Sequence, residues 1–533
     1  MRAIPLKLWA LTICSAALQI VPFPMAGPVP LWRRAFCWFC LAQLLLAVLG
    51  KDRSGNPLRP AQAALLGYVA GVTWYAANCY WIYQTMYLYG GIPKLPSVGI
   101  LILFSLYLGL YPSAFAWLIA KLRMGSSLAI TLSAVPFLWV AIELARARIT
   151  GFPWDLLGYT QVDNSALTAL APIGGVMLLS FVIAAVNSLF AAAFIATTAR
   201  RRLILAVSAV VVAAILQAGS FYRPAADAAT HSAVLLQENL SVGAASRLEA
   251  PMSEQEKFRV FGELSRNPVG ATGARQDLIV WPEAPADFNT SDPVFNADLS
   301  ALARSTDTPV IAGTLGIDLD PNAERGYHAF GSAAVFDRDG TSLGRYDKIH
   351  RVPWGEYVPY KDLFSFAGKL IANAGDLEAG TRHTLFALNG QQVGIFICYE
   401  SIFGDEIRTF VKDGANVLVN ISDDGWYGDT GAPWQHLDMA RMRAIENRRW
   451  VLRDTNTGVT TAIDPHGRGV FSTPRHVRQA FAFAFDYSSE LTFYTLHGDW
   501  FAWLCALIAV GFLAFAQNRL RFARRVTGQG KVN

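Results

Sequence analysis

Long apolar runs separated by short polar connections fill the first 220 or so residues and return near the end, while a mixed pattern occupies the stretch between. Lipid offers backbone groups no water, so a segment that spans it must be a helix of about 20 mostly apolar residues. Eight stretches meet that requirement: 8–25, 30–50, 61–83, 96–120, 127–146, 168–197, 203–221 and 499–518. Arg2 and Lys7 ahead of a short apolar core give the first the look of a cleaved signal peptide, but the spans that follow favour a retained helix. Residues 222–498 read differently. Short apolar runs, "SAVLLQ" (232–237), "DLIVWPE" (277–283), "TPVIAGT" (308–314), "SAAVFD" (332–337), "QVGIFIC" (392–398) and "ANVLVNI" (415–421), have the length and turn-residue borders of buried strands. They alternate with helical patterns over 252–265, 295–305, 403–412 and 434–447. Such alternation predicts a layered α/β domain. The expected organisation is a transmembrane domain of seven helices (1–221), an α/β domain (222–498), and a last transmembrane helix with a basic tail (499–533). No internal repeat or low-complexity tract interrupts it.

Composition agrees with the pattern. The chain is 53% hydrophobic and 16% charged, whereas a soluble protein carries about a quarter charged residues. The net charge of +5 is modest, and its basic residues sit at the edges of apolar segments. That arrangement orients a protein in a membrane rather than binding nucleic acid. Arg2 and Lys7, then Lys51, Arg53 and Arg59, then Lys121 and Arg123, then Arg200, Arg201 and Arg202, then Arg519, Arg521, Arg524 and Arg525 all fall on the inner side if there are eight spans. The α/β domain then lies on the outer face. Arg33, Arg34, Arg146 and Arg148 do not fit this rule. The outer connections "YWIYQTMYLYGGIP" (80–93) and "GFPWDLLGYTQ" (151–161) are rich in Trp and Tyr, as an interfacial belt or the rim of a lipid entrance would be.

Five of the six cysteines, Cys14, Cys37, Cys40, Cys79 and Cys505, lie in apolar spans, which argues against a disulfide framework. "CWFC" (37–40) has redox or zinc spacing but sits among Phe, Trp and Leu and is read as packing within a helix. The sixth, Cys398, ends a strand pattern in the polar part, just before Tyr399 and Glu400. Strand 277–283 delivers Glu283, and Lys348 lies between the two in "RYDKIHRVPWGEYVP". Side chains at the carboxyl ends of strands line the crevice where α/β proteins bind ligands. A carboxylate there can deprotonate a thiol, and an ammonium can lower the thiol pKa and hold an oxyanion. The backbone N–H of Tyr399 would be a second oxyanion donor. Each residue also has a plainer account: a buried apolar thiol, a loop-capping Glu, a solvated Lys. "GTSLG" (340–344) fits the serine-hydrolase pattern but follows "FDRD" with no helix after it, so it is read as a hairpin turn. His350 and His436 are candidates for a Cys-His pair, though His436 is better read as a hydrogen-bonding residue of its helix or loop. No H-E-x-x-H and no P-loop occurs, so the expectation is no metal and no cofactor.

"WPEAP", "KIHRVPWGEYVP" and "GIFICYES", in that order, resemble the nitrilase superfamily. More narrowly, "GEYVP" (355–359), "CYE" (398–400), "DGWYG" (424–428), "QHLDMARMRAIENRR" (435–449) and "NTGVT" (456–460), with the layout of spans, resemble the apolipoprotein N-acyltransferase family over nearly the whole chain. The resemblance implies an αββα sandwich with Glu283 as general base, Lys348 as catalytic lysine and Cys398 as nucleophile. It also implies Glu356 as a second essential glutamate, Tyr399 and Glu400 as the pair after the nucleophile, and Trp426 as an aromatic on a loop at the mouth of the site. Two departures stand out. The stretch 237–257 lacks the family's Lys-Trp pair, and Asp423-Asp424 replaces its usual Asn-Asp. The implied activity is acyl transfer from a membrane phospholipid donor, through a cysteine thioester, to the N-terminal amine of a diacylglyceryl-apolipoprotein acceptor at the periplasmic side of a bacterial inner membrane. A membrane-anchored amidase or hydrolase using water, and a non-enzymatic transporter or scaffold, are the alternatives.

Overall fold

The structure is a computed structural model that describes residues 3–227, 229–246, 252–271, 275–283, 288–323, 325–357, 377–469 and 473–529. The chain divides into two compact units. One comprises Met1–Tyr80, Val98–Arg223 and His497–Asn533, the other Trp81–Ser97 and Pro224–Leu496.

Six helical stretches among the described residues are long and apolar enough to cross a membrane: Leu31–Val48, Lys94–Gly125, Leu128–Thr150, Ala171–Ile195, Ala199–Phe221 and Trp500–Phe522. The remaining two expected spans correspond to Leu6–Ile20 and Pro60–Asn78. The first is shorter than its apolar pattern because Pro22 and Pro24 follow it. The expected span 30–50 is not one regular helix. It runs as Leu31–Arg34, a 3₁₀ turn over Ala35–Trp38, and Ala42–Val48. The "CWFC" stretch is therefore a buried break, and its thiols are free. Asn187 mends the break: its Oδ1 accepts from Leu41 N (2.7 Å) and Ala42 N (3.1 Å), and its Nδ2 donates to Cys37 O (2.8 Å). A non-helical turn survives in lipid only with such compensation. The arginines that defied the charge rule have internal partners. Arg34 is 3% exposed and pairs with Asp163 at 2.5 Å. Arg146 donates to Trp154 O (2.6 Å), and Arg148 meets Asp499 (2.6 Å). Helices Pro60–Asn78 and Leu110–Gly125 approach closely at Gly67, where a Cβ would lie 2.4 Å from Pro112 O.

The second unit carries two sheets. Their strands are β1 His231–Gln237, β2 Leu278–Trp281, β3 Val310–Leu319, β4 Tyr327–Phe336, β5 Ser342–Asp347, β6 Leu385–Leu388, β7 Gln391–Ile397, β8 Val417–Ser422, β9 Val451–Thr455, β10 Thr461–Ile463 and β11 Gln479–Phe485. One sheet has the order β11-β1-β2-β3-β4-β5, the other β10-β9-β8-β7-β6. Strands β1–β2–β3 and β7–β8–β9 run parallel at the two centres. Period-two alternation sorts the first sheet's side chains. Leu235, Val280, Ile311 and Val335 face the second sheet's Ile395, Val419 and Ile421, whereas Leu236, Ile279, Val310 and Phe336 face Phe261, Phe295 and Leu299 of two helices. Those helices are Glu254–Arg266, capped by Ser253, and Pro293–Thr306, capped by Asp292. Helices Gly404–Lys412 and Ala432–Asn447 cover the second sheet's other face with Phe410, Ala440 and Ala444. The layers are helix, sheet, sheet, helix, as expected. "GTSLG" closes the β4–β5 hairpin, with Asp337 N bonded to Thr341 O at 2.9 Å.

Candidate active site

The ends of strands from both sheets meet at one place. Glu283 stands two residues past β2. Gly313 on β3 lets that turn press in, since a Cβ there would lie 1.9 Å from Pro282 O. Lys348 follows β5, anchored by its N–H to Gly331 O (2.8 Å), and is 1% exposed. Its Nζ donates to Glu283 Oε1 (3.0 Å) and Glu356 Oε1 (2.6 Å). Glu356 reaches it from the turn after Pro353 and accepts Val352 N through Oε2 (2.9 Å). Glu283 Oε2 accepts Asp423 N (2.9 Å), which links the end of β2 to the end of β8 across the sandwich.

Cys398 comes directly after β7 at φ +49, a left-handed conformation that side chains rarely adopt, and is 6% exposed. The chain turns sharply there into the 3₁₀ turn Cys398–Ile402. Burial pushes the Cys398 thiol well above its ordinary pKa; the Glu283 charge adds to this and Lys348 offsets part. The resting sulfur is therefore a thiol, which would need a base to take its proton before it could act as a nucleophile. Burial opposes the charge on Lys348, but Glu283 and Glu356 hold its pKa well above the usual lysine value. Burial also raises the Glu356 carboxyl despite Lys348. The ammonium thus stays charged beside the sulfur.

The sequence-predicted residues divide by role. Glu283, Lys348 and Glu356 are hydrogen-bonded together, and Cys398 lies within electrostatic reach of Glu283 and Lys348. Glu400 is fully buried, and its hydrogen bonds go to residues outside this group. Its Oε1 accepts from Tyr346 OH (2.9 Å), Ile349 N (2.6 Å) and His350 N (3.2 Å), and its Oε2 accepts from Ile397 N (2.6 Å). It ties the segment bearing Lys348 to the strand bearing Cys398. Tyr399 packs edge-on to Phe403 (5.4 Å between centroids). Trp426, 39% exposed, sits on the turn Asp424–Tyr427. Its carbonyl accepts from Thr85 Oγ1 (2.9 Å), and neighbouring Tyr427 stacks edge-on with Trp81 (5.1 Å). The aromatic stretch after residue 80 therefore folds with this turn. Of the missing Lys-Trp pair nothing further emerges, because residues 247–251 lie outside those described, as do Ala284, Pro285, Val358 and Pro359 of the quoted motifs.

Neither histidine pairs with the thiol. His350 bonds Glu406. His436 lies at the centre of a buried chain that sequence reasoning missed. Its Nε2 donates to the Cys398 carbonyl (3.0 Å), and its Nδ1 lies 2.9 Å from Asp424 Oδ1. Asp424 Oδ2 accepts from Arg453 (2.7 Å), which also bonds Asn420 Oδ1. Burial works against the Asp424 charge, but Arg453 and His436 hold its carboxyl well below the usual carboxylate range. Among the described residues, no group of three or more His, Cys, Asp or Glu side chains is arranged to hold a metal ion. A base, an ammonium and a thiol so arranged can carry an acyl group on sulfur and pass it to a second nucleophile.

The chain is similar to known proteins over most of its length. A family model described as the apolipoprotein N-acyltransferase N-terminal domain matches residues 15–189, and a carbon-nitrogen hydrolase model matches residues 213–478. Apolipoprotein N-acyltransferase of Geobacter metallireducens is 35% identical over 97% of this chain and 96% of its own. That of Methylococcus capsulatus is 36% identical over 91% and 93%. Among solved structures, Saccharomyces cerevisiae Nit3, a member of branch 10 of the nitrilase superfamily, aligns with TM-score 0.37 and 16% identity, covering 49% of this chain and 93% of that one.

Proposed function

The chain belongs to the apolipoprotein N-acyltransferase family, and from that premise we propose how its residues perform the transfer and between which substrates. It is an N-acyltransferase of lipoprotein maturation and a multi-pass membrane protein. In the first half-reaction Glu283 takes the Cys398 proton as the sulfur attacks an acyl ester of a membrane phospholipid. Lys348 and the Tyr399 N–H hold the oxyanion. Glu283 gives the proton to the departing oxygen, so lysophospholipid leaves and a thioester remains. In the second, the α-amino group of a lipoprotein's S-diacylglyceryl cysteine attacks the thioester. Its proton passes through Glu283 to the leaving sulfur, and the amide and free thiol result. Glu356 holds and tunes Lys348. Glu400 and the His436–Asp424–Arg453 chain position the turn that bears the nucleophile, and Trp426 borders the lipid path.

The observation that carries this reading is the Lys348 ammonium bonded to Glu283 and Glu356 at 3.0 and 2.6 Å beside a buried thiol. Membrane anchoring suits it, because lifting an acyl chain into water costs about 0.8 kcal/mol per CH₂. The spacing of basic residues supports a bacterial inner-membrane protein with its α/β domain on the periplasmic side. Intact-mass analysis after mixing with phospholipid tests the proposal. The expected result is one acyl chain added to the wild type and none to Cys398→Ala. Release of free fatty acid, with no N-acyl peptide formed from a diacylglyceryl peptide, would identify a hydrolase instead.

A further inference from the structure

Next to Glu283 lies one carboxyl that the reaction above does not use, and two more buried carboxyls lie in line beyond it. Asp423, directly after β8, is 3% exposed, and its own N–H is the donor to Glu283 Oε2 at 2.9 Å. Its Oδ1 accepts from both Gly425 N (3.0 Å) and Asn456 Nδ2 (3.0 Å), while its Oδ2 makes no hydrogen bond among the described residues. Glu238, just past β1, is 2% exposed, and its Oε2 has no hydrogen-bond partner among the described residues. Asp454 on β9 is fully buried; its Oδ2 accepts Leu236 N (3.2 Å), and its Oδ1 has no partner among the described residues.

The groups that face Asp423 come from four elements: Glu283 from the end of β2, Glu238 from the segment after β1, Asp424 from its own turn, and the neutral Asn456 from beyond β9. The cations nearby are engaged elsewhere. Lys348 bonds Glu283 and Glu356, Arg453 bonds Asp424, and Lys257 and Arg478 act on Glu238. We propose that Asp423 is a positioning residue that serves the acyl transfer as an uncharged acid, leaving Glu283 to carry the negative charge on that wall of the pocket. Oδ1 takes both donors as a carbonyl oxygen does, and Oδ2 is the atom left to carry the proton. Burial, with Glu283 and Asp424 adding to it against the bonds from Asn456 and Gly425, pushes the carboxyl up to about 8. Loss of the proton sets a second anion beside the base. The negative charge that builds on the sulfur and the oxyanion in the transition state then forms against added repulsion. Acylation slows as the pH rises through that value.

The inference rests on Glu283 and Cys398 acting as proposed above, so two readouts are needed. In the first, the full-length protein in phospholipid vesicles is followed by intact mass for single-turnover acylation of Cys398. If only the acid form works, the wild type slows about 30-fold between about pH 7 and about pH 9.5. Asp423→Asn, which offers a carbonyl and a donor without titrating, slows less than about threefold. In the second, infrared difference spectra over the same pH range show a larger loss of protonated-carboxyl absorbance in the wild type than in Asp423→Asn, by one carboxyl, because Glu400, which burial and Glu406 also push up to about 8, contributes equally to both. Equal slowing in both proteins, or an equal loss of absorbance in both, overturns the proposal. An unacylated wild type would overturn the reaction assignment alone, since the infrared difference reads the Asp423 proton without turnover.

Discussion

Replacing Arg453 with methionine, a side chain of similar length, tests the buried chain behind the nucleophile. Arg453 is fully buried and donates to Asp424 Oδ2 at 2.7 Å, with its NH2 group 3.2 Å from His436 Nδ1. Its loss strands Asp424, itself fully buried, without the guanidinium. Removing one partner of a buried pair costs about 3–5 kcal/mol. Arg453 helps hold the His436 pKa down, after burial, so its removal lets His436 take a proton and keeps the cost near about 3 kcal/mol. At about 2–4 °C per kcal/mol for a domain of this size, the melting temperature falls by about 6–12 °C at neutral pH. The sign with pH follows from Asp424, whose pKa is lowered in the folded state. Its pairing stabilises fully above the unfolded value of about 4 and is lost as the pH falls through the folded one. The gap between wild type and variant is therefore widest at neutral pH and narrows below about pH 4. Thermal unfolding followed by tryptophan fluorescence across that range measures it. Loosening of the His436 bond to the Cys398 carbonyl also slows acylation, by about 10–100-fold. A melting shift under about 2 °C at neutral pH, or a gap that stays constant into acid, would refute the reasoning.

Four further outcomes follow from the geometry. Lys348→Met removes the oxyanion cation and lowers the acylation rate by about 100–1,000-fold, read by rapid-quench mass analysis. Glu356→Gln keeps an acceptor for Lys348 but loses the charge that supports it, so the same assay shows a smaller loss of about 10–100-fold. Thr85→Val deletes the bond to the Trp426 carbonyl and raises the KM for phospholipid by about 2–10-fold, measured in vesicle titrations. Asn187→Leu leaves the broken helix at Ala35–Leu41 without its amide and costs about 2–5 kcal/mol, visible as a lower melting temperature in detergent.

The sequence made the ends of β2 and β7 legible, and with them Glu283 and Cys398, because each closes an apolar run of buried-strand length, whereas Lys348 follows a polar strand and stood out only through the family resemblance. It did not show why the nucleophile stays in place. Asn420, Asp424, His436 and Arg453 span 33 positions, and only the pairing of β8 with β9, which sets Asn420 opposite Arg453, assembles them. The single hint was the buried charge of "VLRDT" (451–455), whose Arg and Asp also hid β9 from a search for apolar runs. Strand β5 was missed because it is a polar edge. In the membrane unit, hydropathy located the segment 30–50 but could not see its break, since Asn187, which compensates for it, lies 146 positions from Leu41. Arg34 and Arg146 misled the charge count because their partners, Asp163 and the Trp154 carbonyl, belong to the same irregular connection.

Cys398 occupies a backbone region suited to glycine, at φ +49. A residue with a side chain there gives up about 1–2 kcal/mol. Glycine at 398 would release that strain but also empty a place in the core between the sheets, so a Cys398→Gly chain should melt close to the wild type although it has lost a buried side chain. If the sulfur carries the acyl group as proposed, activity at this position is kept at the expense of backbone ease, and a screen that rewards ruggedness alone would not notice its loss.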